Sequence, residues 1–155
     1  MDNYVKIRQA NLLDVAGIVE VAREFGKREI MIPLSLGDVT ERLREFHVAE
    51  RADGVIVGCV AVHITWGTLV EVRSLAVIME EQGKKIGRLL IEAAMSDARK
   101  LAATEIFTLT YIPEFFRHFG FEEVDRNTLP HKVWLDCVKC PKFPDCGEIA
   151  LKRGL

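Results

Sequence analysis

The sequence predicts an α/β (α+β) fold, a mostly antiparallel central sheet of about six to seven strands flanked by about four helices, in one domain spanning residues 1–155. Three observations predict it. Seven short segments are apolar with period two or as continuous runs, four others carry apolar residues at helical spacing, and the two kinds are interleaved. No repeat, low-complexity stretch or Gly/Ser/Pro linker divides the 155 residues. A chain of that length buries roughly 70% of the surface it would expose unfolded, so one core suffices without a disulfide framework.

Tyr4–Arg8 alternates with period two and reads as a first strand, and Asn11 and Asp14 are rival N-caps for an amphipathic helix to about Phe25. Ser35 caps a second helix near Leu36–Phe46, where Leu36, Val39, Leu43 and Phe46 recur at helical spacing. His47–Arg51 and Val55–Thr65 flank Asp53-Gly54, a pair suited to a tight hairpin turn, and Gly67-Thr68 turns the chain into a strand Leu69–Ile78. The loop Met79–Lys85 leads into Ile86–Leu101, with Ile86, Leu89, Leu90, Ala93, Ala94 and Ala98 on its apolar face. Glu105–Leu109 is a short strand. Pro113 opens a helix over Glu114–Phe119, Gly120 stops it before a strand Phe121–Val124, and Glu148–Leu151 is placed to close the sheet.

With 21 Lys+Arg against 23 Asp+Glu the net charge is −2, which argues against a nucleic-acid binder held mainly by phosphate contacts. No apolar run approaches the roughly 20 residues that span a bilayer, and the first ten residues lack a signal-peptide core, so the expected setting is cytoplasmic with no membrane partner. Positive charge is concentrated locally. From Gln82 to Lys100 five basic residues, Lys84, Lys85, Arg88, Arg99 and Lys100, face only Glu92 and Asp97. A loop rich in Gly and Lys at a helix N-terminus presents unpaired backbone N–H groups and the positive end of the helix dipole, a place for phosphate or pyrophosphate. A solvated basic turn that merely starts a helix has the same composition.

Gln82-Gly83-Lys84-Lys85-Ile86-Gly87 resembles the Q/R-x-x-G-x-G/A loop of the GNAT superfamily of acyl-CoA N-acyltransferases, and the helix end Phe115–Phe121 resembles that family's Y-x-x-x-G-F. The matches run from Tyr4 to about Val124. The resemblance implies the GNAT fold with a mixed sheet, and acetyl-CoA as co-substrate. It implies that Leu75, Ala76 and Val77 meet pantetheine along a splayed strand and that Gln82, Gly83, Lys84, Lys85, Ile86, Gly87 and Arg88 meet pyrophosphate. The motif's internal glycine is Lys85 here, and lysine restricts the backbone where glycine does not.

Transfer of acetyl from a thioester to an amine needs the amine neutral, so a carboxylate must take its proton directly or through water. The stretch Glu71-Val-Arg-Ser-Leu-Ala-Val77 resembles the family pattern that sets a glutamate beside the acceptor, which makes Glu71 the candidate base. The competing reading of Glu71 is an exposed strand-end carboxylate paired with Arg73. The tyrosine that many members use to protonate the leaving thiolate falls at Phe116, which has no proton to give, so Tyr111 is the nearest candidate acid.

Within the superfamily, Ile7–Ala10 with Asp14, the Phe115–Phe121 helix, and Val124-Asp125 followed by Leu129-Pro130 resemble the acetyltransferase domain of N-acetylglutamate synthase, an amino-acid N-acetyltransferase of arginine biosynthesis. Short stand-alone versions share the tail Leu129–Trp134, Asp136-Cys137, Cys140-Pro141 and Cys146. The likeness implies L-glutamate as acceptor, with Arg73, Lys132 and Arg28 as the cations for its carboxylates. Long members carry an arginine-sensing domain for which 155 residues leave no room, so inhibition by arginine is expected to be weak or absent unless another subunit supplies it. Many related sequences have Arg before the serine that precedes the second helix, where this chain has Leu34.

The tail over residues 129–155 holds three of the four cysteines. His131, Cys137, Cys140 and Cys146 offer one imidazole and three sulfurs, enough for a tetrahedral structural zinc. The same spacing suits a disulfide or redox pair, or buried thiols in a tight loop marked by Pro141 and Pro144. Three functions fit: amino-acid N-acetyltransferase, a GNAT enzyme for another small amine or a protein lysine, and a non-catalytic CoA-binding or metal-responsive regulatory domain. The family resemblance also allows a homodimer.

Overall fold

The structure, a computed structural model, describes residues 5–27, 34–131, 133–134 and 147–155. Arg28, Lys132, Cys137, Cys140 and Cys146 lie outside the described residues. The strands are β1 (Val5–Gln9), β2 (Phe46–Arg51), β3 (Ile56–Trp66), β4 (Leu69–Val77), β5 (Glu105–Thr110), β6 (Glu122–Glu123) and β7 (Ile149–Gly154). The helices are α1 (Val15–Lys27), α2 (Leu36–Glu41), α3 (Ile86–Lys100) and α4 (Pro113–Arg117). All seven strands form one sheet in the order β1-β2-β3-β4-β5-β7-β6, antiparallel throughout except for β4 against β5. The expected mixed sheet and four helices are present. Among the described residues no helix is long and apolar enough to cross a membrane.

Alternation along β3 assigns the two faces of the sheet. Cys59 and Ala61 join Ile18, Val21, Val39 and Val48 beneath α1 and α2, whereas Val60 and Val62 meet Ile86, Leu90, Ile91 and Ala94 of α3 on the other face. Gly58 allows α3 to lie this close, because a Cβ there would come within 3.0 Å of Leu90 Cδ1 and 3.2 Å of the Ala76 carbonyl.

The structure decides between the two cap candidates before α1. The Asn11 side chain accepts from Leu13 N at 2.9 Å, and Asp14 Oδ2 accepts from Asn11 N at 2.7 Å, a capping box over the turn Leu12–Asp14. Asp14 is buried, and Arg8 donates to both its oxygens at 2.7 and 2.9 Å while also reaching Glu50. The Arg8 guanidinium holds the Asp14 carboxyl below the usual carboxylate range. A carboxyl depressed on folding contributes stability above its unfolded pKa and loses it as pH falls through the folded value. Asp14→Asn is therefore expected to flatten the acid limb of stability, read as a smaller drop in urea midpoint between about pH 6 and pH 3 than in the parent protein.

Three expectations are corrected. The second helix ends at Glu41, Leu43–Glu45 forms a 3-10 turn, and Phe46 opens β2 opposite Ala61. Phe46 fits both periods, three residues after Leu43 and two before Val48, and ladder pairing with β3 decides for the strand. The strand expected over Phe121–Val124 shrinks to Glu122–Glu123 because Phe121 turns into the core. The C-terminal strand does not close an edge. It lies between β5 and β6, taking six register pairs from Glu105↔Gly154 to Thr110↔Ile149.

Candidate active site

The parallel pair β4 and β5 is held over only three positions, Leu69↔Glu105, Val70↔Ile106 and Glu71↔Phe107. Beyond them β4 runs on to Val77 and β5 to Thr110 without pairing to each other. Thr108 Oγ1 donates across the start of this opening to the Val72 carbonyl at 3.1 Å. The two strands thus part directly after Glu71, leaving one edge of β4 without a strand.

Glu71 occupies the vertex. It is buried at 8% exposure, and Arg73 Nη2 donates to its Oε1 at 2.6 Å. Arg73 is two residues along the strand, so both side chains lie on the α1/α2 face. The pairing that was the competing reading is present, but Glu71 is neither exposed nor at a strand end. Its cross-strand partner on β3 is His63, whose Nδ1 lies 2.9 Å from Glu45 Oε2. The sequence reading missed His63 and Glu45, because what joins them to Glu71 is register and a turn contact, neither written in a local motif.

Past Arg73 the strand changes parity. Cys59 pairs with Ala76 but Ala61 with Arg73, so β4 carries one extra residue, and Ser74 has φ 57. This is a β-bulge, and a left-handed conformation at a non-glycine residue costs about 1–3 kcal/mol and persists only where its surroundings impose it. The Cys59 thiol donates to the Ser74 carbonyl at 3.3 Å and burial pushes that thiol up to about 12, so it stays a protonated donor. The bulge places Ala76 on the same face as Glu71 and Arg73, and turns Leu75 and Val77 toward α3. Gln82 Nε2 donates to the Val77 carbonyl at 3.0 Å at the far end of this edge.

The loop before α3 is built from two left-handed residues, Gly83 with φ 82 and Lys85 with φ 66. Lys85 stands at the N-cap of α3 and makes no side-chain cap hydrogen bond. The lysine therefore adopts the backbone that glycine would favour, and the first-turn amides of α3 have no side-chain cap. The local positive charge is partly answered: Lys84 Nζ lies 3.0 Å from Glu81 Oε2 and Arg88 Nε lies 3.0 Å from Glu92 Oε1. Glu81 is buried and also takes Arg51 Nη1 at 3.0 Å, which ties the loop to the β2–β3 hairpin. Glu81→Gln is expected to lower the stability of the fold by about 1–3 kcal/mol, read as a fall in urea midpoint, because the buried partner of Arg51 and Lys84 loses its charge.

Tyr111 follows β5 in a bend where Thr110 Oγ1 accepts from Ile112 N at 2.9 Å, and its ring lies beside Gly147. Phe116 is buried core, edge-on to Phe121 at 5.5 Å and to Phe115 at 5.2 Å, and Phe115 packs against Gly87. His131 is exposed in a turn, and among the described residues no group of three or more His, Cys, Asp and Glu is arranged to hold a metal ion. Leu34 is half-buried against the Ile18–Val39 cluster, and Ser35 caps α2.

Residues 42–123 match the family model for an acetyltransferase (GNAT) domain. An uncharacterised N-acetyltransferase of Chlorobaculum tepidum is 36% identical over 96% of this chain and 96% of its own length. An amino-acid acetyltransferase of Mycobacterium tuberculosis is 32% identical over 83% of this chain and 74% of its own. N-acetylglutamate synthase from Neisseria gonorrhoeae, solved with coenzyme A and N-acetyl-glutamate, superposes with a TM-score of 0.88 at 25% identity, covering all of this chain and 36% of the synthase. On this likeness of sequence and fold, the chain belongs to the GNAT family of acetyl-CoA-dependent N-acetyltransferases.

Proposed function

We propose that the chain acetylates the α-amine of an amino acid, L-glutamate first among them, from acetyl-CoA, with Glu71 as general base. The observation that carries this reading is the buried carboxylate at the vertex where β4 and β5 part. Glu71 takes a proton from the acceptor ammonium, directly or through water, and the neutral amine attacks the thioester carbonyl. The tetrahedral intermediate then breaks its C–S bond and releases CoA as a thiolate, which Tyr111 or water protonates, and the second proton that the attacking nitrogen sheds on becoming the amide replaces the one given up.

The uncapped amides of α3 and the loop Gln82–Arg88 suit the pyrophosphate, and the unpaired edge of Leu75–Val77 suits an extended pantetheine arm. Arg73 supplies a cation on the face of Glu71 for an acceptor carboxylate, with Lys132 and Arg28 as further candidates. An amino-acid acceptor is supported by the Mycobacterium tuberculosis relative and by the synthase complex. On this reading residues 1–155 act as one catalytic domain, in arginine biosynthesis where glutamate is the acceptor. Leu34 favours one alternative, an amine with fewer carboxylates, because an apolar side chain packed in the core clamps no anion.

The test is thiol release from acetyl-CoA with all twenty amino acids and a few polyamines, against a no-acceptor control. Turnover highest with glutamate is the expected result. Turnover only with amines lacking a carboxylate would overturn the amino-acid reading, and acetyl-CoA binding without turnover on any acceptor would overturn the small-molecule reading altogether.

A further inference from the structure

Four ionisable side chains meet on the α1/α2 face of the sheet: Glu71 and Arg73 on β4, His63 on β3 and Glu45 in the turn before β2. Directly opposed residues of an antiparallel pair hold their Cβ atoms about 4.5–5.5 Å apart on one face, so His63 and Glu71 occupy neighbouring positions of that face. Arg73 donates to Glu71 Oε1 at 2.6 Å. Glu71 is buried, so a proton taken from an amine needs a path off the carboxylate before the next turnover.

We propose that His63, braced by Glu45, is that path, the outlet through which Glu71 is returned to its carboxylate form in each turnover. The inference rests on Glu71 being the base. In the step, the O–H bond of protonated Glu71 breaks as an N–H bond forms on His63 Nε2, giving an imidazolium. That imidazolium then loses the proton to water.

Two observations carry the assignment to His63. With Nδ1 at 2.9 Å from Glu45 Oε2, the neutral ring donates its Nδ1–H to the carboxylate and keeps a lone pair on Nε2. Glu45 Oε1 is buried with no hydrogen-bond partner. A buried carboxylate oxygen left without a donor costs about 1–3 kcal/mol, and the negative charge becomes useful when a positive charge arrives on the adjoining imidazole. His63 is 18% exposed at its side chain, which leaves a route for the proton to solvent.

The test separates relay from brace. His63→Asn keeps an N–H donor where Nδ1 stands, and so keeps the Glu45 contact, but carries no proton. A relay predicts that kcat falls at least about tenfold with both KM values within twofold, and that free imidazole restores turnover to His63→Gly in proportion to its concentration. A His63→Asn enzyme of unaltered melting temperature and kcat within twofold of the parent would overturn the proposal. So would a folded His63→Gly protein that imidazole does not revive, and where that variant fails to fold His63→Asn alone decides. Glu71→Gln, assayed alongside, distinguishes the two failures: full activity there removes the base and the relay together, whereas a slow Glu71→Gln with a fast His63→Asn removes the relay alone.

Discussion

Glu71→Gln lowers kcat by about 100-fold or more, with the KM for acetyl-CoA within twofold. The amide keeps the size of the side chain and an oxygen for Arg73 Nη2, so the strand and the ion-pair site survive while the proposed proton acceptor is lost. Glu71→Asp separates chemistry from placement, since it keeps the charge but withdraws it by one methylene. Because the carboxylate is buried and fixed at 2.6 Å from Arg73, a displacement of about 1 Å is felt, and a loss of up to about 100-fold is expected there too. Initial rates over a range of acceptor-amine and acetyl-CoA concentrations read both variants. A Glu71→Gln enzyme with unchanged kcat would assign the base elsewhere.

Phe107→Ala destabilises the fold by about 3–5 kcal/mol, a fall of roughly 6–20 °C in melting temperature for a domain of this size. Phe107 is wholly buried among Leu129, Val133 and Ala150, and it is the register partner of Glu71 at the last paired position of β4 and β5. Truncation leaves a cavity on the β5 side of the site. Phe107→Leu retains most of the volume and is expected to cost a third as much or less. Thermal unfolding followed by circular dichroism checks both. A loss under about 1 kcal/mol for the alanine variant would mean that the packing of Phe107 with Leu129, Val133 and Ala150 contributes little to the fold.

Local chemistry made much of this architecture readable from sequence. Asp53-Gly54 marks the β2–β3 hairpin and Gly54 takes φ 89, Ser35 caps α2 through Asp38 N, and of the apolar stripe expected on α3, Ile86, Leu90, Ala94 and Ala98 are buried, whereas Leu89 is exposed and Ile91 and Met95 join the buried side. Glu71 and Arg73 lie two residues apart, so their shared face follows from strand period alone. What stayed hidden depends on partners distant in sequence. The insertion of β7 between β5 and β6 is a matter of strand order, which no local pattern encodes. Phe46 satisfied two periodicities at once, and a tertiary pairing chose between them. The bulge at Ser74 left only a faint trace, an alternation that ends at Arg73 and gives way after Ser74 to five consecutive apolar residues, Leu75 to Met79. Glu81 reads as one more acid in a polar loop, and its burial becomes apparent only when Arg51 and Lys84 are seen on either side of it.

The brevity of the β4–β5 pairing makes the sheet mechanically two plates joined along a seam. One plate is β1 to β4, the other β5, β7 and β6, and three register positions with the overlying α3 hold them together. Amide groups along such a seam open at lower free energy than those inside either plate. An extended ligand lying against β4 in the gap would act as a splint, linking the plates through its own polar groups. Cofactor binding and mechanical stiffness would then be one event, and the plate that carries Tyr111 would be fixed relative to Glu71 only once the thioester is in place.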